Sequence, residues 1–358
     1  MKKRIIGIDV ARALAVIGMI FVNFKLVFGT EGQGWIKSMA SIFDGKAAAT
    51  FVVLAGVGIA LMTNSALKKQ DTLKLKKART RIAKRALFLF VVGLSYIVIW
   101  PADILHFYGI YMLLTLLLLN AGNKPLLLSV FLLIFIYPLL MIGMNYETGW
   151  DFSTLTYLDF WTINGFIRNL FYNGFHPVIP WTAFMLLGLW FARQNLYDDR
   201  FIKKAFWSSL IVFVIIQLLS YASISLLSQG NQTATEELVA ILGSSPMPPL
   251  PIYMLNGCSI AICMISACIL LAKKFEQHPI IEALSKTGEL ALTFYVAHVI
   301  IGMGVVEAIA PGSLGSYTIT FSFGYALIFS VACVLFAVIW TKFRTSGPLE
   351  WMMRKLTD

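Results

Sequence analysis

Ten apolar runs follow one another along the chain, at about residues 5–28, 47–66, 86–100, 104–120, 126–144, 178–192, 206–227, 252–272, 290–309 and 321–340, with little polar chain between them. A span needs roughly 20 mostly apolar residues to cross about 30 Å of hydrocarbon. With 58% hydrophobic and only 13% charged residues among 358, the chain lacks the polar material to coat a soluble domain of its size. The pattern predicts an all-α, polytopic transmembrane helix bundle of about ten spans. Residues 1–358 then form a single transmembrane domain with the lipid bilayer as its solvent. The runs at 86–100 and 178–192 are short for a span. Met1–Phe28 has a basic start but no small-residue cleavage site, so it reads as a retained first helix.

A formal net charge of +11 would suggest a nucleic-acid partner in a soluble protein. Here the cations lie between the apolar runs. Cytoplasmic loops are richer in Lys and Arg, and if the chain starts inside, 24 of its 29 such residues fall on that side. The outer side holds Lys25, Lys37, Lys46 and Arg168, and Arg12 lies within the first helix. Both termini are therefore expected in the cytoplasm, with an even number of spans and no nucleic acid. The run KKQDTLKLKKARTRIAKR, Lys68–Arg85, reads either as an anchor to anionic lipid or as a site for the phosphates of a cytosolic coenzyme. Cys258, Cys263, Cys268 and Cys333 all lie inside apolar runs and read as packing residues. No CxxC or His/Cys spacing points to a metal.

Ionisable groups within spans are costly and mark candidate sites. At about 100° per residue, Asp9, Arg12 and Asn23 fall within about 60° on one stripe of the first helix, which should face the interior. Asp9 and Arg12 are one turn apart and can form an internal ion pair. In WPADILHFYGI, Asp103 and His106 lie three residues apart, so the carboxylate can orient the imidazole as a general base requires, or simply cap the helix. In FHPVIPW, His176 stands before one proline, with a second four residues on. Beside Trp181 it can be a base, a substrate contact or an interfacial anchor.

Asp44 and Lys46 open the second helix at the same depth, and Glu307 closes the ninth, making a candidate outer polar cluster. His298 lies mid-helix and nine residues before Glu307, which puts the two on opposite faces of a regular helix. It reads either as lining a path or as bonded to a neighbouring helix. The outer segments Asn145–Pro177 and Ser228–Pro251 carry Trp150, Tyr157 and Trp161 in the first and four prolines in the second, and could partly cover an outward-facing pocket.

Several stretches carry a family resemblance: RIIGIDVARALAVIGMIFVNF, WPADILHFYGI, FHPVIPWTAFMLLGLW, TGELALTFYVAHVIIG and SGPLEWMMRKLT. Together, over nearly the whole chain, they resemble the bacterial YeiB-like membrane proteins, a family of unknown function. Helix 1 with FDGKAAATFVVLAGVGIAL is also similar to the start of heparan-α-glucosaminide N-acetyltransferase and, more distantly, to the broader transmembrane acyltransferases. The resemblance implies a multi-pass protein of the bacterial plasma membrane that transfers an acyl group, acetyl first, from cytosolic acetyl-CoA to a sugar or lipid-linked acceptor outside. It implies no permanently bound cofactor, and a homo-oligomer stays open. The acetyltransferase has a functional histidine in the loop after helix 1, whereas Gly29–Phe43 here has none. That leaves His106 with Asp103, or His176, as base, and Asn23, Lys46 or Tyr108 as donor to an oxyanion. Arg12 and the Lys68–Arg85 loop are the cations for coenzyme phosphates. A transporter or flippase for an amphiphilic metabolite or lipid-linked sugar would use the same buried groups without covalent chemistry.

Overall fold

A computed structural model describes residues 4–358, so Lys2 and Lys3 of the charge count lie outside the described residues. Its helices are, in chain order, α1 (Ile6–Phe28), α2 (Gly34–Ser41), α3 (Lys46–Lys68), α4 (Thr72–Ser95), α5 (Leu105–Leu117), α6 (Asn123–Gly143), α7 (Ile163–Arg168), α8 (Val178–Phe191), α9 (Asp199–Ser228), α10 (Gln232–Leu242), α11 (Pro251–Lys274), α12 (Pro279–Glu289), α13 (Ala291–Ala297), α14 (Gly304–Ile309), α15 (Ile319–Trp340) and α16 (Pro348–Thr357). A two-residue strand, Trp150–Asp151, pairs antiparallel with Thr156–Tyr157. Among the described residues the regular structure is helical but for that hairpin and an isolated bridge between Glu31 and Thr318.

Among the described residues, seven helical segments are long and apolar enough to cross a membrane, and an eighth results if Ile163–Asn173 and Val178–Phe191, bent by 48°, form one broken span. The chain is a multi-pass membrane protein. Seven of the ten expected runs coincide with these segments, and the other three take forms that periodicity does not convey. Residues 86–100 begin in the second half of α4, whose first half is basic. Residues 104–120 form a helix of 13 residues, and 178–192 one of 14. Around the start of the latter, Pro177 and Pro180 lack N–H donors and Ile179, inside its first turn, departs from helical geometry (φ −101°, ψ 113°), while a π turn covers Asn169–Asn173 upstream. The run 290–309 is not the regular helix expected. It breaks at Leu290 and winds as a π turn over His298–Met303, so the opposite-face placement of His298 and Glu307 does not follow from helical period.

Contacts group the chain into two compact units. The first takes residues up to Phe51 with Tyr197–Trp207 and Ala261–Leu356, the second Val52–Leu196 with Ser208–Ile260 and the last two residues. In the first unit α1 packs on α12, α13, α15 and α2. In the second, α5 lies against α4 and α8, and α6 against α8. There α3 and α8 approach backbone to backbone: a Cβ on Gly56 would overlap the Met185 carbonyl, and one on Gly188 the Val53 carbonyl. Small residues at a helix contact permit such an approach in lipid, where van der Waals packing drives association.

Candidate functional site

The second unit brings His106 and His176 together, two of the chain's four histidines. After α4 the chain turns through Tyr96–Ile104 and enters α5 with Asp103 at its mouth. One carboxylate oxygen, Oδ2, accepts the backbone N–H of His106 at 3.2 Å and faces His106 Nδ1 at 3.1 Å. The aspartate thus caps the helix and orients the imidazole at once. Its other oxygen accepts the Tyr96 hydroxyl at 2.5 Å. With Nδ1–H assigned to the carboxylate, the lone pair lies on Nε2. That atom is buried and has no hydrogen-bond partner among the described residues. Only glycine fits at position 93 of α4, because a Cβ there would stand 2.5 Å from Asp103 Oδ2 and overlap the His106 amide.

His176 occupies the break before α8. Its carbonyl accepts the Tyr111 hydroxyl, and its ring meets Trp181 edge to face at 4.6 Å. Phe107 links the two histidines, its ring centroid 4.0 Å from that of His106 and 6.0 Å from that of His176. His176 Nδ1 and Trp181 Nε1 are also buried without a partner among the described residues. Buried polar atoms are nearly always bonded, so three unsatisfied buried atoms on His106, His176 and Trp181 single these side chains out as a candidate site. Tyr108 is buried two residues beyond His106 on α5, hence on another face.

Segment 145–177 contributes most of the lining of a cavity of about 210 Å³, with Trp150, Tyr157, Phe160, Trp161, Asn169 and Phe175 among its walls. Phe160 also meets the His106 ring edge to face at 6.4 Å. The segment is held in shape by Asn173, which accepts the Tyr157 hydroxyl at 2.7 Å and donates to the Tyr146 and Thr148 carbonyls. Arg168 donates to Tyr157 and pairs with Asp159 at 2.6 Å.

The first unit holds the helix 1 stripe. Asp9 is buried and receives Arg12 at 2.7 Å and Arg4 at 2.7 Å, while Arg4 also reaches Glu289 at 2.8 Å. Asn23 leaves this network and bonds His298 Nε2 at 2.8 Å. His298 thus takes the reading of a histidine bonded to a neighbouring helix, with Tyr295 and Phe24 flanking its ring. Asp44 pairs with Lys25 at 2.5 Å, Lys46 donates to the Ile42 carbonyl at 3.1 Å, and Glu307 accepts the Gly312 amide at 2.9 Å.

The expected residues therefore separate into Asp103, His106, Tyr108, His176 and Trp181 in the second unit and Asp9, Arg12, Asn23, Asp44, Lys46, His298 and Glu307 in the first. Sequence reading does not single out Tyr96, Gly93, Phe160 or Lys25. Tyr96 and Gly93 carried no local signal, since their contacts with Asp103 and His106 depend on the path of the loop between α4 and α5. Lys25 and Phe160 carried none either.

The family described as "Heparan-alpha-glucosaminide N-acetyltransferase, catalytic" matches residues 4–227. One described as "Protein of unknown function (DUF418)" matches residues 189–358. The chain is also similar to the uncharacterized protein YxaH of Bacillus subtilis (strain 168), 21% identical over 99% of this chain and 94% of that one.

Proposed function

Because the chain belongs to the heparan-α-glucosaminide N-acetyltransferase catalytic family, we propose that it is a membrane-bound acyltransferase, moving an acyl group, acetyl first, from cytosolic acyl-CoA to a sugar or similar acceptor at the outer face. The observation that supports this most is the Asp103–His106 pair, whose Nε2 has no partner among the described residues. An acceptor oxygen or nitrogen attacks the thioester carbonyl carbon, and Nε2 takes its proton as the new bond forms. Asp103, itself held by Tyr96, stabilises the resulting imidazolium. The tetrahedral intermediate collapses with cleavage of the C–S bond, and the imidazolium returns the proton to the leaving thiolate. Trp181 Nε1–H is a buried donor of the kind that a developing oxyanion needs.

Arg12 is committed to Asp9, which leaves the basic half of α4 to meet coenzyme phosphates. The topology in this reading has ten crossings, both termini in the cytoplasm and the bacterial plasma membrane as its place, supported by the 24 of 29 cations on one side. The bend before α8 and the short α5 are then crossings that neighbouring helices shelter. Family membership does not favour the transporter alternative.

Purified chain in liposomes, given radiolabelled acetyl-CoA and an amino sugar, should form N-acetyl sugar, and His106→Ala should lower the rate by about 10²–10⁴-fold. Absence of any acetylated product over a panel of amino sugars and alkyl glycosides, with accumulation of the unmodified sugar inside the vesicles, contradicts the proposal.

A further inference from the structure

The cavity beneath the outer segment has a chemistry that the transfer reaction alone does not require. Its lining is Ile97, Val98, Pro101, Phe160, Trp161 and Phe175, with Trp150, Thr156, Tyr157 and Asn169, and none of these is charged. Arg168, which hydrogen-bonds Tyr157, is neutralised by Asp159 at 2.6 Å. A carboxylate, sulfate or phosphate entering the cavity would lose its hydration without gaining a counter-charge. The volume, about 210 Å³, falls below the roughly 300–1,000 Å³ that takes a drug-sized ligand, so the cavity holds one ring rather than an oligomer. Aromatic faces with a few polar groups, here Asn169, Thr156 and Tyr157, suit a sugar ring, which has apolar C–H faces and a hydroxyl rim.

The surroundings point to what the ring is attached to. Val98 and Trp161 are 78% and 72% exposed, and Ile99, Leu158 and Ile163 beside them are exposed as well. In a membrane protein such groups face acyl chains, with Trp at the headgroup level. The cavity wall is also the wall of the catalytic pair. Pro101 belongs to the turn that carries Asp103, and Phe160 meets the His106 ring at 6.4 Å.

We infer that this cavity is the acceptor subsite and that it takes the uncharged sugar ring of a neutral glycolipid, whose chain lies over the rim formed by Val98, Ile99 and Trp161. The inference rests on the acyltransferase reading for the word acceptor, but not for the binding itself. The ring stacks within the aromatic lining with a hydroxyl toward Phe160 and His106, and the chain stays in the bilayer, so the acceptor reaches the site laterally.

The test uses the full chain in nanodiscs and a dodecyl β-D-glucoside bearing a diazirine on the chain next to the sugar. Photolabelling should concentrate in peptides 97–101 and 150–175. Dodecyl β-D-glucoside should compete with it, whereas glucose and dodecyl phosphate at equal concentration should not. Trp161→Ala, at an exposed position and checked by an unchanged melting temperature, should lower the label at least about fivefold. With acetyl-CoA present, kcat/KM for dodecyl glucoside should exceed that for glucose by at least about tenfold, and Trp161→Ala should remove that preference. Label spread over the whole apolar surface, equal competition by glucose, or equal competition by dodecyl phosphate each overturns the inference. Localised and competed label without acetyl transfer to any acceptor upholds the glycolipid site and removes the acyltransferase reading. Transfer that is indifferent to the chain and to Trp161 does the reverse.

Discussion

Asn23 on α1 and His298 in the π turn lie 275 residues apart in sequence and share a 2.8 Å hydrogen bond at a wholly buried histidine. The amide donates to Nε2, which fixes the proton of that imidazole on Nδ1. Asn23→Ala leaves a buried acceptor without its donor, so the purified protein should lose on the order of 1–3 kcal/mol of stability. Thermal unfolding in detergent measures this, and an unchanged melting temperature contradicts the pairing.

That bond also marks the limit of what the sequence conveys. Long apolar runs fix α1, α3, α6, α9, α11 and α15 because lipid admits few alternatives. The Asp103–His106 pair is legible because one helical turn brings an i,i+3 pair together, and His176 with Trp181 because prolines restrict the backbone between them. Asn23 with His298, and Lys25 with Asp44, are not legible, since no local period relates residues on separate elements. The π turn is invisible for another reason: it shifts the register by a single residue within an apolar stretch of otherwise uniform composition. Tyr96 stays hidden because its role depends on the path of the loop to Asp103.

Gln70 and Gln229 each occupy a turn with positive φ, after α3 and after α9. In the proposed orientation a cysteine at Gln229 reacts with a membrane-impermeant maleimide added outside intact cells, and one at Gln70 reacts only after lysis. Reversed labelling contradicts the orientation.

The α3–α8 contact tolerates no added side chain. Gly56→Ala and Gly188→Ala each force two backbones apart, and each should cost roughly 1–3 kcal/mol, as overpacking of a well-filled interior does. Gly143→Ala, at a position with open space around it, serves as the control. Equal melting temperatures for all three variants contradict the close approach.

Glu350 on α16 accepts the N–H groups of Leu292 at 2.8 Å and Thr293 at 3.1 Å, together with the Thr293 hydroxyl at 2.5 Å, and so caps α13 from a distant segment. Burial holds its carboxyl above the ordinary value of 4.5. A group with a raised folded value contributes stability that is fully present below the unfolded value and is lost as pH rises through the folded one. The difference in melting temperature between the native chain and Glu350→Gln should therefore shrink as pH rises from about 4.5 toward neutrality. A difference that grows over that interval contradicts the burial effect.

If His106 Nε2 carries the proton of the acyl transfer, chemical rescue shows it most directly. Single-turnover transfer from acetyl-CoA is measured for the native chain, for His106→Ala, and for His106→Ala with added imidazole. The variant should lose about 10²–10⁴-fold in rate and recover partially as the concentration of neutral imidazole rises, and Asp103→Asn should show a milder defect. Native-like transfer by a folded His106→Ala chain would contradict that role.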